Sequence, residues 1–445
     1  MFKSFIGGVH PKDNKAMSEG CIIEKAPIPN KVVIPLRQHI GSMAIPVVKI
    51  GDIVKKGQLI ASNEGYISSN IHASICGTVV DICEYNHGTF GKCLSIIIES
   101  NNEDDWVEGI PINRNVDELT HKEMAQILQS LGVVGMGGAT FPTHVKLSPD
   151  EFKAVDTFIL NGAECEPYLT ADYRMMVEWA DKVAQGIKVT MKMLKVNKGY
   201  VGIEDNKPLA IEKMQEAIKN ISIYENLDIK VVALPTKYPQ GAEKMLIKVL
   251  TGREVPSGGL PTDVKVVVQN VGTVVAIYDA LVNGIPLIER VTTISGRAIN
   301  NPKNMLLRIG TTFEDAISYC GGLKYEAKKI IMGGPMMGFA QYTLDIPVVK
   351  GTSGILALID KEVNQGTEFP CIRCGKCVQA CPMGLIPSAF ATLAEKNAYL
   401  EAKQEYSLLD CVECGSCAYV CPSKRKIVQS IRYNKLQCSQ SSNKK

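Results

Sequence analysis

Along residues 31–100, short runs of aliphatic and β-branched residues alternate with turn signals. VVIPL, PVVKI, QLIAS, GTVVDI and LSIIIES read as strands, punctuated by Gly51-Asp52, Lys56-Gly57 and His87-Gly88. The period then changes. Between Asp117 and Leu131 the apolar residues Leu119, Met124, Ile127, Leu128 and Leu131 recur on one helical face. Past a glycine-rich segment, TFILNG (157–162), GYVGIE (199–204) and IKVVALP (229–235) predict strands, and the stretches 173–195, 206–220 and 240–251 predict helices. Such alternation predicts a mostly parallel sheet with helices on its faces. Residues 286–340 fit a small α+β unit whose helix, Thr312 to Cys320, stops at Gly321-Gly322. After Gly366 the pattern is helical, with Pro387 to Tyr406 predicted as one long helix opening on proline.

At 445 residues and 45% hydrophobic content, the chain has room for about two to four domains with their own cores. A net charge of +3 gives no argument for nucleic acid, and no nucleic-acid partner is expected. The opening MFKSFIGGVHPKDNK lacks the apolar core of a signal peptide. The most apolar stretch, Val266 to Val282, is interrupted by Gln269, Asn270 and Asp279, so no membrane span is expected and any membrane contact is by docking. PVVKIGDIVKKGQLIAS and IHASICGTVVDI resemble the two halves of a lipoyl-type barrel-sandwich. The expected hairpin tip, Asn63-Glu64-Gly65-Tyr66, has no acceptor lysine, which leaves a structural or docking role.

Chemistry enters with the cysteines. Cys371, Cys374, Cys377 and Cys381 precede Pro382, and Cys411, Cys414, Cys417 and Cys421 precede Pro422, so CxxCxxCxxxCP occurs twice. A tight loop supplies three thiolates to a cubane, and the fourth comes from the other run. Cross-ligation predicts one [4Fe–4S] cluster on Cys371, Cys374, Cys377 and Cys421, and a second on Cys381, Cys411, Cys414 and Cys417. CxxC alone also suits zinc, but zinc has no use for the fourth Cys with its trailing Pro. The other seven cysteines are scattered and odd in number, as free thiols in a reducing compartment are.

Gly135, Gly137 and Gly138 of GMGGATFP let backbone N–H groups approach a phosphate or a flavin ring, with Lys146 to neutralise charge. The segment does not fit GxGxxG. It gains weight from NGAECEP (161–167), KYPQGAEK (237–244) and QNVGT (269–273). Together these segments resemble the NADH-binding, FMN-carrying subunit of respiratory complex I and of NAD-linked hydrogenases. The whole order, from FIGGVHPKDNK through NGAECEPYLTADYRMM and IMGGPMMG to the twin cysteine runs, resembles the RnfC family of Rnf electron-transport complexes.

The resemblance implies a multidomain α/β protein. Its parts are an N-terminal extension (1–30), a barrel-sandwich hybrid (31–115), a complex-I-flavoprotein-like FMN/NADH domain (116–285), a β-grasp, SLBB-like domain (286–345), a linker (346–365), an all-helical ferredoxin domain (366–436) and a basic tail (437–445). Gly135, Gly137, Gly138, Lys146, Asn161, Glu164, Tyr238, Gly241, Asn270 and Thr273 fall where that family holds FMN, and Phe141, Glu166 and Glu243 where it holds NADH. No acid–base or nucleophilic catalytic residue is implied. Met136, Thr140, Ala163 and Ala242 depart from the complex I pattern, and Cys165 stands where it has Ser. The implied protein exchanges hydride between NAD(H) and FMN and passes single electrons through its clusters. It does so as a peripheral component on the cytoplasmic face of the membrane. Its partners are the integral and peripheral Rnf subunits and, indirectly, ferredoxin, in a ferredoxin:NAD+ oxidoreductase coupled to Na+ or H+ transport. A cobalamin-reductase relative is expected to carry its barrel-sandwich after the clusters, and a non-enzymatic electron-carrier scaffold would not need the intact glycine loop.

Overall fold

The computed structural model describes residues 4–442 apart from 64, 150–153 and 364–365. Glu64 of the expected hairpin tip and residues 443–445 of the expected tail therefore lie outside the described residues.

The barrel-sandwich packs a four-stranded sheet (Lys31–Pro35, Gly91–Ser100, Gly77–His87, Ile53–Val54 in spatial order) against a three-stranded one (Ile45–Pro46, Leu59–Ser62, Ile71–His72). Alternating side chains such as Val32, Ile34, Ile96 and Ile98 point inward and are fully buried. The long hairpin Gly77–His87/Gly91–Ser100 reaches beyond this core, and Tyr85 and Asn86 at its end hydrogen-bond to Asp345.

The central domain holds four parallel strands in the order Asp228–Leu234, Lys198–Glu204, Thr157–Gly162, Val266–Asn270. Helices cover both faces: Met176, Ile187, Met214 and Val274 fill one side, and Leu234, Leu246 and Val266 the other. The predicted helix 173–195 is two helices, Ala171–Glu178 and Ala180–Leu194, interrupted at Trp179 where the backbone leaves helical angles. The first three strands progress in one direction and the fourth returns to the far side of Thr157–Gly162. Crevices for ligands form at such a reversal, outside the carboxyl ends of the strands. Here the register sets Asn161 directly beside Asn270 at that end.

The β-grasp unit is larger than its own segment predicts. Its six-stranded sheet runs Ile23–Lys25, Lys303–Arg308, Glu289–Ser295, Gly354–Leu358, Lys329–Met332, Phe339–Gln341. This corrects two expectations. The extension 1–30 supplies an edge strand, and the linker 346–365 supplies a fully buried inner strand paired on both sides. Ile23–Lys25 is short and largely charged, Gly354–Leu358 short and apolar, and only long-range pairing distinguishes either from a connector. Lys350, 1% exposed, donates to the carbonyls of Asn70 (2.9 Å) and Gly132 (2.6 Å), tying this unit to the barrel-sandwich and the central domain.

Beyond Leu358 the described residues contain no strand. The predicted long helix 387–406 is again two helices, Pro387–Glu395 and Tyr399–Gln404, separated at Asn397, whose φ is +55°. Within the expected tail, residues 437–442 continue the helix Ile427–Ser442, and Cys438 is buried against the small helical core with Phe390 and Leu408. No helix among the described residues is long and apolar enough to cross a membrane.

Candidate functional site

The glycine loop lies over the crevice at the strand reversal. Val134 bridges to Pro142 and the Gly135 N–H donates to the Phe141 carbonyl at 2.8 Å, closing the loop into a hairpin. The Met136 N–H donates to Thr273 Oγ1 at 2.9 Å, which pins it to the first turn of Val271–Leu281. A Cβ on Gly137 would come within 2.8 Å of Asn270 Cβ, so only glycine lets the loop approach the strand end this closely. Gly137, Gly138 and Ala139 are exposed, leaving their amides open to a ligand.

Around this crevice the expected flavin residues converge. Asn270 caps its helix, accepting from the Gly272 N–H at 2.9 Å, and donates to Asp172 at 2.6 Å. Asn161 donates to the Gly241 carbonyl at 2.8 Å. The Gly241 N–H reaches Cys165 Sγ at 3.3 Å. Lys146 pairs with Glu243 at 2.7 Å, both partly exposed, so a residue expected at FMN and one expected at NADH face each other. Phe141 is half-buried beside them in sequence, at the base of the loop.

Three of the residues expected at the ligands are held by contacts within the protein. The Glu164 carboxylate accepts from the Asp172 and Tyr173 N–H groups (2.7 and 3.1 Å), the open amides of a helix start. Glu166 accepts from the Met336 and Met337 N–H groups (3.1 and 2.9 Å) and from the Tyr238 hydroxyl (3.2 Å). Tyr238, 2% exposed, also donates to the Cys414 carbonyl at 2.7 Å. Of the methionines in IMGGPMMG, Met332 is buried in the β-grasp core, while Met336 and Met337 serve through their amides. His144 contacts a loop, its Nε2 lying 2.9 Å from the Tyr66 carbonyl oxygen.

Burial dominates the electrostatics. It pushes Glu166 up to about 7 against the stabilising hydrogen bonds it accepts, and Asp172, beside Glu164, also up to about 7. Arg290, buried with Asp172 near it, falls to about 10 and donates to the Met136 carbonyl at 3.3 Å. Burial likewise raises the Cys165 thiol, so Cys165 is no ready nucleophile.

In the helical domain, Cys381, Cys411, Cys414 and Cys417 line one cavity together with Leu385, Phe390 and Ile431. The Leu385 N–H points at Cys381 Sγ and the Glu413 N–H at Cys411 Sγ, both at 3.4 Å. Cys371 and Cys374 are exposed, whereas Cys377 and Cys421 are half-buried on the same helical core. The residues fit their groups. Four thiols around a cavity suit a cubane, and an open glycine loop at a strand reversal suits a phosphate-bearing flavin.

Loop and cysteines are joined by continuous contacts: Gly137 on Asn270, Asn270 beside Asn161, Asn161 to Gly241, and Tyr238, three residues before Gly241, to Cys414. The N-terminal segment closes the ring. Val9 and Tyr238 exchange two backbone hydrogen bonds, and Gly8 donates to Ala380. Gly7, at φ +67°, leaves only 2.6 Å between a would-be Cβ and the Cys381 carbonyl oxygen.

Four domain families match in order. They are the RnfC barrel sandwich hybrid domain (3–103), the Nuo51 FMN-binding domain (128–279), the SLBB domain (291–340) and the 4Fe-4S dicluster domain (370–425). Over 98% of its length the chain is 64% identical to the C subunit of the proton-translocating ferredoxin:NAD(+) oxidoreductase complex of Clostridium ljungdahlii, covering 94% of that protein. This chain belongs to the RnfC family. Its kinship extends to the corresponding component of the Na(+)-translocating ferredoxin:NAD(+) oxidoreductase complex of Acetobacterium woodii, 45% identical over 97% of this chain and 96% of that one. The C subunit of an ion-translocating oxidoreductase complex from Rhodobacter capsulatus is 43% identical over 86% of this chain and 73% of that one. In fold the chain is similar to a solved NAD+-reducing [NiFe]-hydrogenase in the air-oxidized state, with a TM-score of 0.51 at 16% identity. That likeness covers 72% of this chain and 64% of the hydrogenase chain, and it speaks to fold alone. The matched domains make FMN and 4Fe–4S clusters the cofactors of this RnfC member. The sequence reading missed Lys15, Lys207, Asp172 and Arg290 at the site. Lys15 and Asp172 lie inside quoted motifs, whereas Lys207 and Arg290 carry no local signal.

Proposed function

We propose that this chain exchanges hydride with NAD(H) and single electrons with the partner subunits of an ion-translocating ferredoxin:NAD+ oxidoreductase, docked on the cytoplasmic face of the membrane. The carrying observation is the unbroken line of contacts from the glycine loop at the strand reversal to the Cys414 loop.

When bound, FMN supplies the exchange between paired and single electrons that nicotinamide and iron–sulfur chemistry otherwise lack. The chain's own residues bind and orient. Gly135, Gly137 and Gly138 offer backbone amides, and Lys146 offers a cation beside Glu243. Asn161 donating to Gly241, Asn270 accepting from Gly272 and Thr273 accepting from Met136 together fix the crevice wall. Glu164 and Tyr238 act behind that wall, one holding the helix start and the other bridging to Cys414. Phe141 and Glu243 remain placed to meet the nicotinamide nucleotide at the open side, while Glu166 serves as a latch to the Met336–Met337 loop. Burial orders the clusters: the one on Cys381, Cys411, Cys414 and Cys417 lies next to the flavin domain, and the one on Cys371, Cys374, Cys377 and Cys421 faces outward toward partners.

Reconstituted chain should hold FMN and about eight irons and reduce ferricyanide with NADH. Lys146→Ala should weaken FMN retention roughly tenfold with iron content intact. A chain that takes up no flavin under any loading condition would sink the reading in favour of an electron-carrier scaffold.

A further inference from the structure

Two lysines lie beneath the loop that follows strand Thr157–Gly162, and neither is used by any contact described so far. Lys15, 4% exposed, comes from the N-terminal segment, and Lys207, 3% exposed, stands at the start of helix Pro208–Glu225. Lys15 Nζ donates to the carbonyls of Glu164 and Glu166, each at 2.9 Å, and to that of Leu169. Lys207 Nζ donates to the Ala163 carbonyl (2.9 Å), to Glu204 (3.0 Å) and to Asn206 (3.0 Å). Each amine thus meets three acceptors. An ammonium carries three N–H groups, matching the three acceptors around each.

The loop is shaped to meet them. Glu164 (φ +43°) and Tyr168 (φ +68°) hold left-handed backbone, unfavourable for residues with a Cβ. Those turns help direct the carbonyls of residues 163, 164, 166 and 169 to the lysine side. Of the same loop, the Ala163 N–H meets Asn161 and the Glu164 carboxylate meets the helix start. The Tyr168 N–H donates to the Asp13 carbonyl at 2.6 Å, fastening the loop to the segment that carries Lys15. Lys15 also lines a small cavity together with His10, Asp13, Cys165, Glu204 and Tyr238. Burial lowers the Lys15 amine and raises Glu166, Asp172 and Glu204, while Glu164 and Glu204 act to hold the charge on Lys15. Glu164, Glu166, Asp172 and Glu204 crowd this region, and the cations facing them are Lys15, Lys207 and Arg290.

We propose that Lys15 and Lys207 are positioning residues of the flavin site, two buried ammonium groups that hold loop 163–169 by its carbonyl oxygens and offset its carboxylates. The inference rests on the reading that FMN occupies the crevice. Removing one cation leaves the surroundings more negative. Added electrons on the flavin then become less favourable, and the loop is free to turn its carbonyls elsewhere.

The test uses the full chain with both clusters reconstituted, comparing wild type with Lys15→Met, Lys207→Met and Lys15→Arg. The probe is FMN added to flavin-stripped protein, read by fluorescence quenching, with the flavin midpoint potential from a spectroelectrochemical titration. Each methionine variant should bind FMN about tenfold more weakly and show a lower flavin potential, with about eight irons retained. Lys15→Arg, which keeps the charge, should hold the potential near wild type. Should Lys15→Met fail to accumulate, Lys207→Met carries the same expectation. Unchanged FMN affinity and potential in an iron-replete methionine variant would overturn the proposal, as would a Lys15→Arg chain whose potential falls as far as that of Lys15→Met. Wild-type protein that binds no FMN would instead overturn the functional reading, so the two failures are distinguishable.

Discussion

The two cysteine runs share one spacing and one local backbone, yet they live in different surroundings. Gly375 and Gly415 both adopt positive φ before a short helix, and Arg373 and Glu413 occupy equivalent left-handed positions. Around the second run, Glu413 is held by Arg432 (3.1 Å) and Lys435 (2.8 Å), Cys414 and Cys417 are buried, and the Cys414 carbonyl accepts from Tyr238. Around the first run, Cys371, Ile372, Arg373, Cys374 and Lys376 are exposed. A repeated motif therefore yields two sites of unlike dielectric, and reduction potential follows hydrogen bonds and solvent exposure as much as ligand type. The inner site is set by packing and the outer one by solvent and whatever docks there.

The contrast can be broken outright by ligand removal. Cys381→Ala should abolish the inner cluster and Cys421→Ala the outer, each dropping iron from about eight to about four per chain. Spectra of the reduced variants should lose different signals. The same signal lost in both would end the cross-ligated assignment. Next in size, an added chelator with oxidant should strip the exposed outer cluster at least roughly tenfold faster than the buried inner one, consistent with exposed sites being the labile ones. Equal rates followed by absorbance would erase the difference in burial. A smaller effect is expected from charge. Glu413→Gln leaves Arg432 and Lys435 without their partner and should lower unfolding stability by about 1–3 kcal/mol, whereas Arg373→Gln should leave the denaturant midpoint nearly unchanged. The smallest is Tyr238→Phe, which removes the hydroxyl shared by Cys414 and Glu166, a loss of about 0.5–1.5 kcal/mol per hydrogen bond, and should shift the potential of the inner cluster alone. A shift in both clusters would mean that Tyr238 holds the whole domain and does not bridge specifically to Cys414.

How much was legible beforehand follows from the range of each signal. Strand Thr157–Gly162 coincides with the predicted TFILNG because alternation and chain-local turn residues define it. The glycine loop and the cysteine spacing were readable for the same reason. Strands Ile23–Lys25 and Gly354–Leu358, three and five residues long, look like connectors until their partners are known. The helix break at Asn397 was missed because residues 387–406 keep a polar–apolar rhythm across it. Glu166 and Tyr238 belonged to recognised motifs, but their engagement with Met336, Met337 and Cys414 joins segments more than 150 residues apart.

By themselves, residue order and spacing determined the cofactor chemistry, the succession of domains and the parallel character of the central sheet, because ligand loops, glycine turns and periodicity act over a few residues. Tertiary structure alone decided which cysteine run is buried, which carboxylates the protein itself engages, and that Lys15 and Lys207 meet under one loop. Those outcomes depend on which distant segments share a buried volume, where desolvation and hydrogen-bond geometry, not local preference, set the energy.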